Sequence, residues 1–494
     1  MRARRMPIVV LLAVLGLVAG GCGGGGGADG IAGGSTPAGA GMVRAAALAF
    51  VSIDSDLGSD QWQQLDALAK KFPGRAKAIE QLKRSLAKEG VDYDRDVKPA
   101  LGPELDIAVV SGGTASSTKV AALTEPDDVG KFKALVAKLN ASGDSGDAVV
   151  YREVEGWYAV SNSQDAIDAV LKGSAKSLAD NEVFDEAVGK LPGEALVKVY
   201  LDGAGLNELL RRASAQSGAN FDSSSLGLDE LKYVVSAATA EDDGFRVSGL
   251  SSGGNLGGGD FTSKLVDGVP GDAFALVNFH GGSTTEQLED LKSNPQLGPA
   301  LQQMQAALGV TFDQIVALLR GEIALYARPG AGIPEFTIVL EEEDQTAALS
   351  TLDRLAARLA AGTGGQVQPG TQGGHAVKTV NLGRIAIHYG GLGDKVMITS
   401  GVSGIADYDG SGERLPDNAD FEQAKEAAGM PDTVGAFSYL DLKDAIPLLE
   451  GFAGLAGESV PPEVSENLRP LRSFLAWAGG SGDTRTFDAF LEIK

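Results

Sequence analysis

The sequence predicts an α+β protein built as a tandem duplication. Each of its two modules is expected to be a mostly antiparallel β-sheet with amphipathic helices packed on one side. Three observations carry this. One stretch, L-x-D-N-x-x-F-x-x-A, occurs at Leu178–Ala187 and again at Leu415–Ala424. Each copy is followed, after a Pro and an apolar run, by Tyr-Leu-Asp, at Tyr200–Asp202 and Tyr439–Asp441. Short alternating runs fall in neighbouring pairs and helical patterns interrupt them in ones and twos, which favours antiparallel hairpins over a doubly wound parallel sheet.

The repeated stretch is explained by local physics. Asn181 and Asn418 stand where a helix N-cap accepts backbone N–H groups that have no partner within the helix. Acids follow in the first turn, where the helix dipole is positive. Phe184, Ala187, Val188 and Leu191 recur three and four residues apart and share one face. A capped helix feeding a buried strand is the expected result, with no binding role for the Asp-Asn pair.

Residues 1–21 read as a secretory leader. Arg2, Arg4 and Arg5 precede an apolar run from Ile8 to Ala19. A run of about a dozen residues is too short to span a bilayer, which needs roughly 20. The run ends at Ala19-Gly20-Gly21-Cys22. This resembles the lipobox of bacterial lipoproteins, although Ala19 stands where Leu is usual. Cys22 is the one Cys of the chain. The resemblance implies that Cys22 is lipidated and becomes the N-terminus, and two or more acyl chains give stable attachment. Residues 22–41 are Gly-rich and are expected to form a flexible tether with a reach of roughly 25 Å. The expected location is extracytoplasmic, on the outer face of the bacterial cytoplasmic membrane or within the cell envelope.

Composition bounds the function. Apolar residues make up 43% of the chain, enough for a sizeable core. The formal charge is −24, which argues against nucleic acid and against an electrostatic grip on anionic headgroups. With a single Cys there is no intrachain disulfide.

The first module is expected at 42–252. Its first strand is Ala47–Ile53, and two amphipathic helices follow, marked by Leu65, Leu68 and Phe72 and by Ile79, Leu82 and Leu86. A turn at Gly90–Asp94 leads to strands at 105–110 and 119–123. A helix then carries Phe132, Val136 and Leu139. A hairpin turns at Glu155-Gly156. The repeated helix, a strand ending at Leu201 and a closing pair, 231–238 and 245–250, complete the module. A Gly-rich linker is expected at 253–270 and the second module at 271–494. The second module replays the order, with one additional strand next to the hairpin, carrying His388.

In the first module, Val51-Ser-Ile-Asp54, Gln61-Trp62, Phe72-Pro-Gly74, Gly90–Asp94, Asp96-Val-Lys-Pro99 and Leu101-Gly102 complete a recognisable layout. With the leader and lone Cys, they resemble an uncharacterised bacterial envelope lipoprotein family of the DUF3352 type, a domain of unknown function. The resemblance covers nearly all of the mature chain. It implies an extracytoplasmic protein and brings no assigned activity or catalytic residue.

Candidate chemistry is weak throughout. Gly249–Gly253 fits G-x-S-x-G around Ser251, but a Gly-rich stretch follows where a nucleophile elbow needs a helix. Ser85–Lys88 and Ser116–Lys119 fit S-x-x-K without the partner motifs of that chemistry. Asp92, Asp94 and Asp96 alternate like a calcium loop, but Val97 and Pro103 stand where Gly and Glu are required, so a solvated turn is expected. His280, His375 and His388 have no metal-ligand spacing. No cofactor, metal or catalytic set is expected. The expected role is non-enzymatic binding or scaffolding in the envelope, with an envelope protein as partner. The alternatives are a carrier holding lipid or another apolar ligand in a sheet–helix or inter-module cavity, and a hydrolase.

Overall fold

A computed structural model describes residues 35–88, 90–112, 118–142, 148–217, 228–254, 259–282, 298–383, 385–455, 460–480 and 482–494. Cys22, the leader and most of the tether lie outside the described residues. The described chain forms two compact units, residues 35–254 and 259–494.

The first unit contains, in order, β1 (Ala47–Asp54), α1 (Asp60–Lys70), α2 (Arg75–Lys88), β2 (Glu104–Ser111), β3 (Thr118–Thr124) and α3 (Val129–Ser142). There follow β4 (Val150–Val154), β5 (Trp157–Ser161), α4 (Gln164–Val170), α5 (Glu182–Val188), β6 (Val197–Asp202), α6 (Gly203–Ser217), β7 (Tyr233–Glu241) and β8 (Gly244–Ser252). All pairings are antiparallel and give the spatial order β4-β5-β3-β2-β1-β6-β7-β8. The expected hairpin turn is present: Glu155 and Gly156 both have positive φ, as a two-residue loop of this kind requires.

The second unit contains β9 (Ala275–His280), α7 (Gly298–Leu308), α8 (Phe312–Ala317), β10 (Glu322–Arg328), β11 (Glu335–Glu341) and α9 (Gln345–Thr363). Next come β12 (Gln368–Gln372), β13 (His375–Leu382), β14 (Ile385–Leu392), β15 (Lys395–Thr399), α10 (Gly404–Asp409) and α11 (Ala419–Ala428). β16 (Ala436–Asp441), α12 (Leu442–Leu455), α13 (Pro462–Leu468), β17 (Leu471–Gly479) and β18 (Thr484–Ile493) end the chain. The order is β12-β13-β14-β15-β11-β10-β9-β16-β17-β18. From β14 onward this is the order of the first sheet. The sequence reading anticipated one additional strand; the structure has two, β12 and β13. β12, Gln-Pro-Gly-Thr-Gln, has no apolar alternation to announce it.

The repeated stretch builds the same corner in each unit. Asn181 accepts from the backbone N–H of Val183 and Phe184 at 3.0 and 3.3 Å, and Asn418 from Asp420 and Phe421 at 2.9 and 3.2 Å. Each Asn also donates its Nδ2 to the segment before the first strand, at Ala45 O and Gly271 O. Phe184 meets Tyr200 edge-on with ring centroids 4.9 Å apart, and Phe421 meets Tyr439 in the same way at 4.9 Å. Asn418→Ala removes the cap and the strap to Gly271, so it is expected to cost about 1–2 kcal/mol in urea unfolding.

Three expectations are corrected. Helices cover both faces of each sheet. Trp157 and Ala159 face a core that includes Phe184 of α5, whereas Tyr158, between them, packs with Phe132 and Val136 of α3. In the second unit Val339 and Met397 share a core with Phe421 of α11, and their neighbours Leu340 and Val396 pack under Leu352 and Ala356 of α9. The tether ends earlier than residue 41, because Ala38–Gly41 is a 3₁₀ turn with Ala40 fully buried. Nor is 253–270 a linker throughout: Leu265, Val266 and Val269 enter the second core, and Phe261 bridges Val434.

Candidate functional site

The inner face of the first sheet is apolar at its centre and polar at one end. Phe50 stands between Ala108 and Tyr200; one level along, Ser52 stands between Asp106 and Lys198; beyond that, Asp54 faces Glu104. Spacing by two along each strand puts these residues on one face. Ser52, Asp54, Glu104 and Lys198 line a cavity of about 470 Å³, with Asp60 and Glu194 at its sides.

Asp106 is fully buried beside this floor, and neither carboxyl oxygen makes a well-formed hydrogen bond. Burial first, then the neighbouring Glu104, pushes its pKa well above the carboxylate range. Gly39 covers it, and a Cβ there would lie 1.8 Å from Asp106 Oδ2. The Gly39 N–H donates to Glu104 Oε1 at 2.9 Å. Lys198 donates to the Gly193 and Ser35 carbonyls, at 2.9 and 3.4 Å, and burial lowers its pKa. Burial likewise raises Asp54, against the opposing hydrogen bond from Ser59.

The corresponding corner of the second unit is filled. Glu322 faces His280 as Glu104 faces Asp54, and Ala324 stands at the level of Asp106. Glu322 accepts from Ser263 Oγ, the N–H groups of Lys264 and Leu265, and Asn278 Nδ2 at 2.8 Å. Leu265 occupies the place of Gly39, because its N–H reaches the glutamate in the same way, four residues before the Val that pairs with the repeated Leu. One position therefore holds acid under glycine in one unit and leucine over alanine in the other.

The second unit has a different concavity. On the sheet face that α9 partly covers, Leu325, Phe336, Ile338, Ile385, Ile387 and Ile398 line an open groove of about 260 Å³. Leu325 pairs with Ile338 and Ile338 with Ile398, a row of aliphatic side chains across three adjacent strands. Phe336 is 54% exposed and Ile333 at the rim 48%. The polar groups beside Phe336 are already paired: its backbone N–H donates to Ser400 Oγ, and its carbonyl accepts from the Ser400 N–H.

The motif candidates are dispersed. Ser251 lies inside β8 opposite Val234, away from any strand-to-helix turn. Ser85 and Lys88 lie on α2, while Ser116 is outside the described residues. Asp92 caps a turn, Asp94 pairs with Lys83, and Asp96 is buried. Asp96 is held far below the carboxylate range, first by Arg95 and then by Lys138, so the solvated-turn expectation fails there. His280 meets Phe261 edge-on, His375 contacts Asp409 at 2.9 Å, and His388 Nδ1 contacts Thr379 at 2.8 Å. Among the described residues, no group of three or more His, Cys, Asp or Glu is placed to hold a metal ion. Among them, too, no helix is long and apolar enough to cross a membrane.

Neither Asp106 nor Lys198 was singled out in the sequence. The available signal was a charge at the inward phase of an otherwise apolar strand, two residues before Ala108 and Tyr200 respectively.

A family model described as "Protein of unknown function (DUF3352)" matches residues 6–155 and 159–493. No curated protein matches the chain in sequence. Similar solved structures include two crystal forms of TP0453. Form IV is 11% identical over 47% of this chain and 81% of that one, with a TM-score of 0.23. Form III is 11% identical over 46% and 92%, with a TM-score of 0.24. Likeness at this level carries neither fold nor function across.

Proposed function

Because the chain belongs to the DUF3352 family, whose function is unknown, we propose its role from its own surfaces: a non-enzymatic, lipid-anchored envelope protein that holds an acyl chain. Cys22 is the attachment point in this reading, and the protein works on the outer face of the cytoplasmic membrane.

The observation that carries the binding role is the groove between Leu325, Phe336, Ile338 and Ile385. Its walls offer almost no donor or acceptor, so the matching ligand is hydrocarbon. At about 260 Å³ it falls below the range of roughly 300–1,000 Å³ typical of sites that enclose a whole small molecule. It therefore suits part of an acyl tail and leaves a headgroup in water. About ten buried methylenes at about 0.8 kcal/mol each give about 8 kcal/mol before the cost of association. Micromolar affinity is thus the upper bound.

The test is titration of the full chain with a fluorescent fatty acid, alongside the double variant Phe336→Asp/Ile385→Asp. Both side chains are largely exposed, so the variant is expected to fold. Its affinity should fall at least about tenfold, because two charges enter a wall that cannot solvate them. Equal binding by the two proteins, or no saturable binding by the parent, rejects the groove as the site.

A further inference from the structure

The chain is acidic, with 66 Asp and Glu against 42 Lys and Arg, and several of its arginines meet carboxylates. Arg75 pairs with Asp66, Arg152 with Asp168, and Arg328 with both Asp272 and Asp407. α9 carries two exceptions. Among the described residues, neither Arg354 nor Arg358 forms an ion pair; Arg354 reaches the hydroxyls of Ser350 and Thr351 on its own helix, at 3.5 and 3.3 Å. The two arginines stand four residues apart, so they share one side of the helix with Cβ atoms about 6 Å apart. Like charges at this spacing repel and weaken the helix.

Both arginines line one cleft of about 530 Å³ in the second unit. α7 supplies Gln302 and Gln305 to it, and α8 supplies Gln314. Among the described residues, no Asp or Glu lines the cleft. Gly309 ends α7 with a φ of 74°, and its N–H donates to the Gln305 carbonyl at 2.8 Å. That backbone region favours glycine, and a Cβ here would stand 3.1 Å from Arg358 Nε. Glycine thus lets the guanidinium lie close against the turn. Gln314 accepts the Thr311 N–H through Oε1 at 3.0 Å, within a capping box, which leaves its amide nitrogen to donate. The cleft gathers two guanidinium forks and three amide side chains around a space without a carboxylate.

We propose that this cleft binds a phosphate monoester, carried by a soluble ester or by a lipid headgroup. Arginine forks match phosphate oxygens in pairs. A single carboxylate offers two oxygens and is satisfied by one fork, whereas a phosphate monoester presents three and takes donors from several sides. The net negative charge of the chain repels anions at a distance, so binding depends on contacts inside the cleft. The cleft shares no lining residue with the aliphatic groove.

The test has two arms. The full chain is titrated with glycerol 3-phosphate and followed by phosphorus NMR. The mature chain carrying Cys22→Ser, which removes the proposed anchor point, is floated with phosphatidylcholine vesicles with and without phosphatidic acid. Arg354→Gln/Arg358→Gln should weaken binding at least about tenfold in whichever arm binds. Circular dichroism should stay unchanged, because both side chains are exposed and Gln is a good helix former. Arg354→Lys/Arg358→Lys keeps the charge and loses the forks, so it should retain part of the affinity. The charge-matched control is Arg84→Gln/Arg211→Gln, at two arginines of the first unit that pair with Glu80 and Glu208, and it should bind like the parent. Saturable binding of glycerol 3-phosphate supports the site with a solute as the source; flotation that requires phosphatidic acid supports it with a headgroup as the source. Four results overturn the proposal: neither arm binds, the Gln variant binds like the parent, the charge-matched control loses as much as the Gln variant, or succinate competes as strongly as glycerol 3-phosphate. Fatty-acid titration of the same variants should match the parent, which separates this result from the fate of the groove.

Discussion

Replacing Gly39 by leucine is expected to destabilise the first unit by about 3 kcal/mol, and adding Asp106→Ala is expected to recover that loss. The single change drives a Cβ to 1.8 Å from Asp106 Oδ2, and Trp157 closes the other side at 3.0 Å. Overpacking of this kind costs about 1–3 kcal/mol, and the upper end applies where neither neighbour is the free end of a flexible chain. The double variant reproduces the pairing that the second unit already uses, Leu265 with Ala324, both buried in one cluster. It also removes a buried carboxyl that makes no well-formed hydrogen bond, worth about 1–3 kcal/mol in itself. The double variant should therefore match or exceed the parent, giving a coupling of at least about 2 kcal/mol. Urea unfolding in a Trp477→Phe background reads the first unit, because both remaining tryptophans, Trp62 and Trp157, belong to it. Additive effects of the two changes would show that the acid and the glycine are not packed against each other.

This pair also marks where the sequence was legible and where it was not. The strands and hairpins were readable because their apolar residues alternate and their turns carry Gly or Asp; Glu155-Gly156 is the clearest case. The repeated helix was readable because Asn181 and Asn418 have one obvious local use. Side-chain periodicity says that α3 and α9 have an apolar face but not which side of a sheet receives it, so coverage of both faces was missed. β12 was missed because Pro369 and Gly370 suppress strand character, and its pairing to β13 is a tertiary gain. Asp96 read as solvated because its partner Lys138 is distant in sequence. The groove was illegible for a similar reason: Leu325, Phe336, Ile385 and Ile398 each read as ordinary strand residues, and only the strand order brings them together. α2 gave the opposite lesson. Its amphipathic pattern was evident, but pattern alone implied burial, whereas Ile79 and Leu82 are exposed and Leu86 is half-buried.

Glu322→Ala is expected to cost the second unit about 4 kcal/mol, whereas Glu104→Ala should cost the first unit about 1 kcal/mol or less. The two residues hold the same position relative to the strand before them, so side-chain type cannot explain the difference; environment does. Glu322 is buried and collects a hydroxyl, two backbone N–H groups and an amide. Removing it strands those donors away from water, and hydrogen bonds to a charged group are worth about 1.5–3 kcal/mol each before non-additivity. Glu104 accepts one N–H, from Gly39, and borders a cavity whose water can take over that bond. The second unit has thus committed its glutamate to pinning the segment at Ser263–Gly268, while the first holds Ala38–Gly41 through one hydrogen bond and the buried Ala40. Hydrogen exchange by mass spectrometry resolves the two segments within one intact chain. Glu322→Ala should abolish protection around Leu265 and leave the Gly39 segment unchanged, and Glu104→Ala should leave protection around Leu265 intact. Similar losses in both units would mean that the extra donors on Glu322 contribute nothing to its hold.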